Sequence, residues 1–188
     1  EIRKFEEIHP PGTKARLAFS LAAYTGLRMS DLVVLGRQHI KDGWITIRPA
    51  KTKGSSSILV EIPVLPELRR AIDTGPCGDM TFLVSERNAP FSKVRLTTLM
   101  RKWCDDAGLP HCTMHGLRKA AATVAAENGA TDDELMAIFG WTTKQQTTLY
   151  TRNASRKRLA GHAMQKIVRN EESTEIVPPE EDDLKSGA

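Results

Sequence analysis

Residues 114–150 read MHGLRKAAATVAAENGATDDELMAIFGWTTKQQTTLY, and the fold is decided by how this stretch is parsed. Residues 114–128 predict one helix, with Leu117, Ala121, Val124 and Ala125 available for its buried side. Thr131-Asp-Asp-Glu134 matches a capping box, in which the threonine hydroxyl caps the helix start and the glutamate reaches back to the threonine amide. Thr143-Lys-Gln-Gln146 repeats that signal for a short helix. Ser155 is placed to cap a last helix running to about residue 168, with Leu159, Ala163 and Ile167 on one face. The C-terminal part of the body is therefore read as helical throughout.

Moving toward the N-terminus, residues 96–107 form another expected helix, and the character then changes. Trp44-Ile-Thr-Ile-Arg48 alternates and is β-branched, as a strand requires, and Ile58-Leu-Val-Glu-Ile-Pro63 is a second candidate. Between them, residues 49–57 carry Lys51, Lys53, Gly54 and three serines and read as a polar hairpin turn. Thr81-Phe-Leu-Val-Ser85 supplies a short third strand. Further back, residues 13–25 place Leu17, Leu21 and Tyr24 at helical spacing, with Gly26 to end the helix. Ser30 is placed to cap a short helix over residues 31–35. There is no internal repeat. The sum is an α+β fold, mainly helical, with one small three-stranded antiparallel sheet.

At 188 residues and 40% hydrophobic content, the chain has material for one ordinary domain plus a tail. It begins with Glu1 rather than methionine, which is expected of a fragment of a longer protein. No apolar run reaches the ~18 residues of a membrane span, and no basic-then-apolar leader is visible. Cys77, Cys104 and Cys112 form no paired motif, which fits a reduced intracellular compartment. The net charge of +4 hides an asymmetry. Residues 171–188 hold seven acids and one base, leaving 16 acids against 26 bases in residues 1–170. A body of about +10 attracts polyanions, nucleic acid first among them, although a basic surface without a partner also fits. The expected division is a folded domain over residues 1–169 and an acidic, disordered tail over residues 170–188.

Three places carry residue types suited to phosphodiester exchange, a reaction that needs a nucleophile, an acid for the leaving oxygen and positive donors around a charge-rich transition state. In Thr25-Gly-Leu-Arg28-Met-Ser-Asp31-Leu, an arginine follows a helix-ending glycine; alone, it reads as a surface residue at a helix junction. In His115-Gly-Leu-Arg118, positions i and i+3 share a helix face, so both side chains point at one spot. The plainer reading is a partly buried histidine and an exposed arginine. Tyr150, one of two tyrosines, ends the polar run that follows Phe139-Gly-Trp141, where a packing role is the commoner one for a lone tyrosine.

In this order and spacing, the segments resemble the signature of the tyrosine recombinase (phage integrase) family, across roughly residues 5–165. That signature has an arginine after a Thr-Gly-Leu helix end, a hairpin lysine, a His-x-x-Arg, and a tyrosine nine residues after a histidine or tryptophan; Trp141 and Tyr150 have that spacing. The resemblance implies that Arg28 and Arg118 clamp the scissile phosphate. It implies that His115 binds phosphate and accepts the tyrosine proton, and that Lys51 protonates the leaving 5′ oxygen. Lys53 is the alternative, and Lys51-Thr52 fits the pattern better. Trp141 stands where most members have histidine; since indole only donates, it would bond phosphate or pack on Tyr150. Tyr150 would attack phosphorus to form a 3′-phosphotyrosine, and Asp31 would support the first arginine.

The family's fold and activity follow as expectations: the catalytic domain of a site-specific DNA recombinase or integrase from a prophage or other mobile element. The partners implied are double-stranded DNA, further copies of the chain in a tetramer, and accessory DNA-bending proteins, with no membrane. The implied location is cytoplasmic and nucleoid-associated, in a bacterium or phage. Members also carry an upstream helical core-binding domain that grips the other face of DNA. A chromosome-dimer resolvase or a type IB topoisomerase would use nearly the same residues; a DNA-binding module without catalysis would not need Tyr150. An RNase-like use of His115 and Lys51 would leave no covalent adduct. No metal or cofactor is expected: Cys104, His111, Cys112 and His115 lack a paired CxxC, and no carboxylate cluster suggests a two-metal site.

Overall fold

Side-chain caps open most of the longer helices in the computed structural model, which describes residues 1–50 and 58–167. Helix α1 spans Ile2–Ile8 and buries Phe5. Helix α2 (Lys14–Thr25) starts where the Thr13 hydroxyl accepts the Arg16 amide, and it ends at Gly26, which adopts φ 60°. Leu17 and Leu21 are fully buried, as their spacing requires, and Tyr24 is half-buried. The next helix, α3, is a single turn, Met29–Leu32, that begins at an extended Arg28. Ser30 therefore lies inside the turn instead of capping it, and its hydroxyl donates to Asp31 Oδ1 at 3.4 Å.

The sheet is antiparallel in the order β1 (Ile40–Lys41), β2 (Trp44–Ile47), β3 (Val60–Pro63). Ile45 pairs with Ile62 and Ile47 with Val60, and these four side chains form the buried face. The expected pair of central strands is present, but the third strand is not residues 81–85. It is β1, folded back through Asp42 at φ 50° and Gly43 at φ 81°, where an Asp-Gly pair supplies the left-handed turn that a tight hairpin needs. Residues 81–85 make an isolated bridge from Val84 to Pro90 instead. The Phe82 amide bonds to the Leu35 carbonyl, and Phe82 and Leu83 fill the core, so the apolar run reflects burial rather than sheet pairing.

Helix α4 (Pro66–Thr74) opens with proline in its first turn and buries Leu68 and Ile72. Helix α5 spans Lys93–Asp106, three residues longer at its start than expected, because the Ser92 hydroxyl caps it through the Arg95 amide at 3.1 Å. Helix α6 (Met114–Glu127) starts at Thr113. Its buried residues are Arg118, Ala122 and Ala126, while Val124 is 52% exposed, so the helix is turned by about one position from the expected face. Helix α7 (Asp132–Phe139) has the full capping box: the Glu134 amide donates to Thr131 Oγ1 at 3.2 Å, and the Thr131 amide to Glu134 Oε2 at 2.7 Å. Helix α8 runs Gln145–Ile167 without the break expected before Ser155. No proline interrupts it, and serine costs a helix interior only a fraction of what proline does.

Two cores organise the first of two compact units, Glu1–Ser155. The larger lies among α2, α4, α5 and the sheet; the smaller joins α6 and α7 with Trp141, and packs Tyr150 and Ala154 at its edge. The second unit begins at Arg156, and within its described helical part Ala163, Met164 and Ile167 are exposed. Lys51, Lys53 and residues 170–188 lie outside the described residues.

Candidate active site

Three of the positions singled out in sequence, Arg28, His115 and Arg118, meet around the start of α6. A cleft of about 360 Å³ is lined by Leu27, Arg28, Met29, Ser30, Lys93, Thr97, Met114, His115 and Arg118. Arg28 reaches it because Gly26 ends α2 and the chain runs extended through Arg28 before α3. His115 and Arg118 reach it from one face of α6, as the i, i+3 spacing demands. Their exposure is the reverse of the plain expectation: Arg118 is 9% exposed, and His115 is open to solvent.

Arg118 is a structural clasp as well as a wall of the cleft. One terminal nitrogen donates to the Gly26 carbonyl, and the other to the Phe139 carbonyl at 2.7 Å. Both acceptors are carbonyls at helix ends, where intrahelical partners run out. The clasp ties the ends of α2 and α7 to α6, and it uses two of the five guanidinium N–H donors, leaving the others for a ligand. The guanidinium also lies 5.0 Å from the Phe139 ring centre and 5.5 Å from that of Trp141. Burial pulls its pKa down to about 10 from the usual guanidinium range, with repulsion from Arg28 adding to the fall; Asp31 and Tyr150 act the other way. It stays charged at neutral pH, in surroundings that strengthen its attraction for an anion.

Tyr150 and Trp141 do not line the cleft; they form a ring layer behind Arg118. Phe139 stacks on Trp141 with centres 4.8 Å apart, and Trp141 stacks on Tyr150 at 5.5 Å with planes 10° apart. Of the two roles open to Trp141, the structure shows packing on Tyr150. Asp31 is 2% exposed, and its Oδ1 accepts the Ala50 amide at 2.9 Å. Its Oδ2 has no hydrogen-bond partner among the described residues. The carboxylate thus anchors the backbone at Ala50, three residues beyond the end of β2.

Lys93 and Thr97 were not marked in sequence. The sequence signal for them is Ser92, an N-cap that places Lys93 in the first turn of α5. Thr97 lies one turn on, and its hydroxyl approaches Met29 Sδ at 2.8 Å, next to Arg28. Among the described residues, Glu1, His111 and Cys112 hold the only three potential metal-donor atoms that lie within 4.8 Å of one another. Glu1 and His111 already pair at 2.7 Å, and burial, then Glu1, raises the Cys112 thiol, which disfavours a thiolate ligand. Cys104 and His115 are not part of that group.

The chain is similar to known proteins in sequence and in fold. The family model described as the phage integrase family matches residues 1–157. The integrase of Mycobacterium phage L5 is 27% identical over 179 residues, covering 82% of this chain and 48% of that protein. The tyrosine recombinase XerA of Thermococcus onnurineus is 29% identical over 158 residues, covering 81% of this chain and 56% of the relative. The chain thus spans about half the length of these curated relatives. Among solved structures, the XerA recombinase crystal structure superposes with a TM-score of 0.68 at 22% identity, covering 85% of this chain and 60% of that one. A lambda integrase dimer bound to a COC′ core site gives 0.64 at 23%, covering 80% and 56%. At these identities the superpositions establish the fold: that of tyrosine recombinase catalytic domains.

Proposed function

The chain belongs to the phage integrase family, and from that membership we propose that it is the catalytic part of a site-specific DNA recombinase, acting for a prophage or another mobile element. The observation that carries this reading is the convergence of Arg28, His115 and Arg118 on one cleft, with Trp141 linking Arg118 to Tyr150 through stacked rings.

In this reading a DNA phosphate enters the cleft, and its non-bridging oxygens take the free N–H groups of Arg28 and Arg118. The Tyr150 hydroxyl oxygen attacks phosphorus while its proton passes to His115. The bond to the 5′ oxygen breaks, and that oxygen takes a proton from Lys51. A 3′-phosphotyrosine bond has formed and a 5′-hydroxyl strand has been released. Attack by the 5′-hydroxyl of another strand reverses each step, so the phosphodiester is rebuilt without net consumption of energy. Asp31 holds the backbone in place at Ala50, the residue before Lys51 in sequence, through the Ala50 amide. Trp141 limits the range of Tyr150 by stacking and takes no proton.

Catalysis is assigned to residues 1–169. Double-stranded DNA is the partner, with copies of the full-length protein assembling as a tetramer on two sites, aided by DNA-bending proteins. A cytoplasmic, nucleoid-associated location goes with these partners, and no helix among the described residues is long and apolar enough to cross a membrane. The test uses nicked suicide duplexes built on the junction sequence of the DNA element that encodes the chain. A covalent protein–DNA band on a denaturing gel, unaffected by EDTA, is expected. Released small products without an adduct would point to a phosphodiesterase, and binding without either would point to a DNA-binding module; each would overturn the proposal.

A further inference from the structure

Lys93 shares the cleft with Arg28, His115 and Arg118, yet it belongs to a different element. Its position is fixed by local structure. Ser92 caps α5 at the Arg95 amide, 3.1 Å, which makes Lys93 the first residue of a 14-residue helix. One turn on, Thr97 contacts Met29 Sδ at 2.8 Å, so the face of α5 that bears Lys93 and Thr97 is held against α3. Among the described residues the Lys93 ammonium has no carboxylate within ion-pair distance, although Lys14, Arg16, Arg70, Arg101 and Lys144 each have one. Arg28 is likewise unpaired among them. Two unpaired cations from two elements therefore face one cleft whose floor is a third, buried cation. Asp31 and Tyr150 offset the buried cation only in part, since burial, and then repulsion from Arg28, still depresses Arg118.

We infer that Lys93 binds a second DNA phosphate, the neighbour of the one held by Arg28 and Arg118. The cleft of about 360 Å³ is larger than one phosphate group, and Lys93 stands exposed at its rim while Arg118 lies at its floor. A flexible ammonium at the rim suits a backbone phosphate that must be held but not reacted. The role is positioning: with two consecutive phosphates fixed, the strand can neither slide nor rotate about the reacting one. This inference rests on the recombinase reading of the cleft.

The experiment compares two short probes, TpT with one phosphodiester and TpTpT with two, by NMR titration of this chain while following the His115 and Arg118 signals. TpTpT should bind about fivefold more tightly than TpT, the ratio given by an exposed ion pair at the upper end of its usual worth. A second phosphate gives only twofold by statistics. Lys93→Ala should reduce the ratio to that twofold while leaving TpT binding unchanged, and Lys93→Arg should restore it. Arg28→Ala should weaken both probes together. With a 30-bp duplex, Lys93→Ala should also lower the slope of log K against log salt by about 0.9. A TpTpT preference that survives Lys93→Ala, or a Lys93→Ala loss that falls equally on TpT, overturns the inference and leaves the reading of Arg28 and His115 standing. Absence of any probe-dependent shift at His115 and Arg118 removes the phosphate site itself, and both claims fall with it.

Discussion

Replacing Arg118 with alanine should do two separable things: abolish strand cleavage and loosen the fold. The guanidinium makes two buried hydrogen bonds to carbonyls. Charged-donor bonds contribute about 1.5–3 kcal/mol each, and contact with two rings adds about 1 kcal/mol. Against that stands the cost of burying the charge. The fall from the usual guanidinium range to about 10 corresponds to about 3 kcal/mol, carried in full at neutral pH because the group is charged in both folded and unfolded chains. The balance predicts that Arg118→Ala loses about 2 kcal/mol of stability, or roughly 4–8 °C in Tm for a domain of this size. Arg28→Ala supplies the contrast. Its guanidinium has no hydrogen bond or ion pair among the described residues, and its charge disfavours Arg118, so stability should stay within about 0.5 kcal/mol. Urea unfolding followed by circular dichroism measures both. Equal midpoints for wild type and Arg118→Ala would refute the clasp; a large loss in Arg28→Ala would show that the two arginines are not divided as argued.

Three further outcomes follow from the same geometry. Gly26→Ala should cost more than about 2 kcal/mol in urea unfolding, because φ is 60° and a Cβ there would meet the Phe139 ring; a neutral result would mean the end of α2 is not confined by α7. Trp141→Ala removes a nearly buried indole stacked between Phe139 and Tyr150, and thermal unfolding should show a loss of about 3–5 kcal/mol, with less than half of that in Trp141→Phe. Glu134 has its carboxyl held below the usual 4.5 by bonds from Thr131, so its cap contribution is present above that pH and lost as pH falls through the lowered value. The stability gap between wild type and Glu134→Ala should therefore close on acidification, and a gap constant with pH would contradict the cap.

Much of the site was legible because the residues that build it also punctuate the chain. Gly26 ends α2 and delivers Arg28; Thr131 and Glu134 open α7 and so place Trp141. The burial of Arg118 was not legible. A charged residue in a helix pattern reads as outward-facing, and only the two carbonyls of distant segments, Gly26 and Phe139, explain why it turns in and shifts the buried stripe of α6. Lys93 stayed hidden for a similar reason, since its significance depends on α5 packing against α3 through Thr97 and Met29. Residues 81–85 resemble a strand because Phe82 and Leu83 are apolar for core filling, while the Asp42-Gly43 pair carries the hairpin signal that sets β1 against β2. Ser155 looked like a helix start because serine favours caps, but a cap forms only where the backbone leaves the helix, and α8 continues through it.

The central claim is that Tyr150 carries the DNA. Its hydroxyl makes no hydrogen bond among the described residues, so Tyr150→Phe should leave the fold intact and isolate the chemistry. The most direct measurement is mass spectrometry of the covalent complex after digestion with nuclease and trypsin. Trypsin releases Gln145–Arg152, the peptide containing Tyr150, and this peptide should carry a 3′-linked nucleotide in wild type and none in Tyr150→Phe. A nucleotide on any other peptide, or an adduct that persists in Tyr150→Phe, would contradict the account.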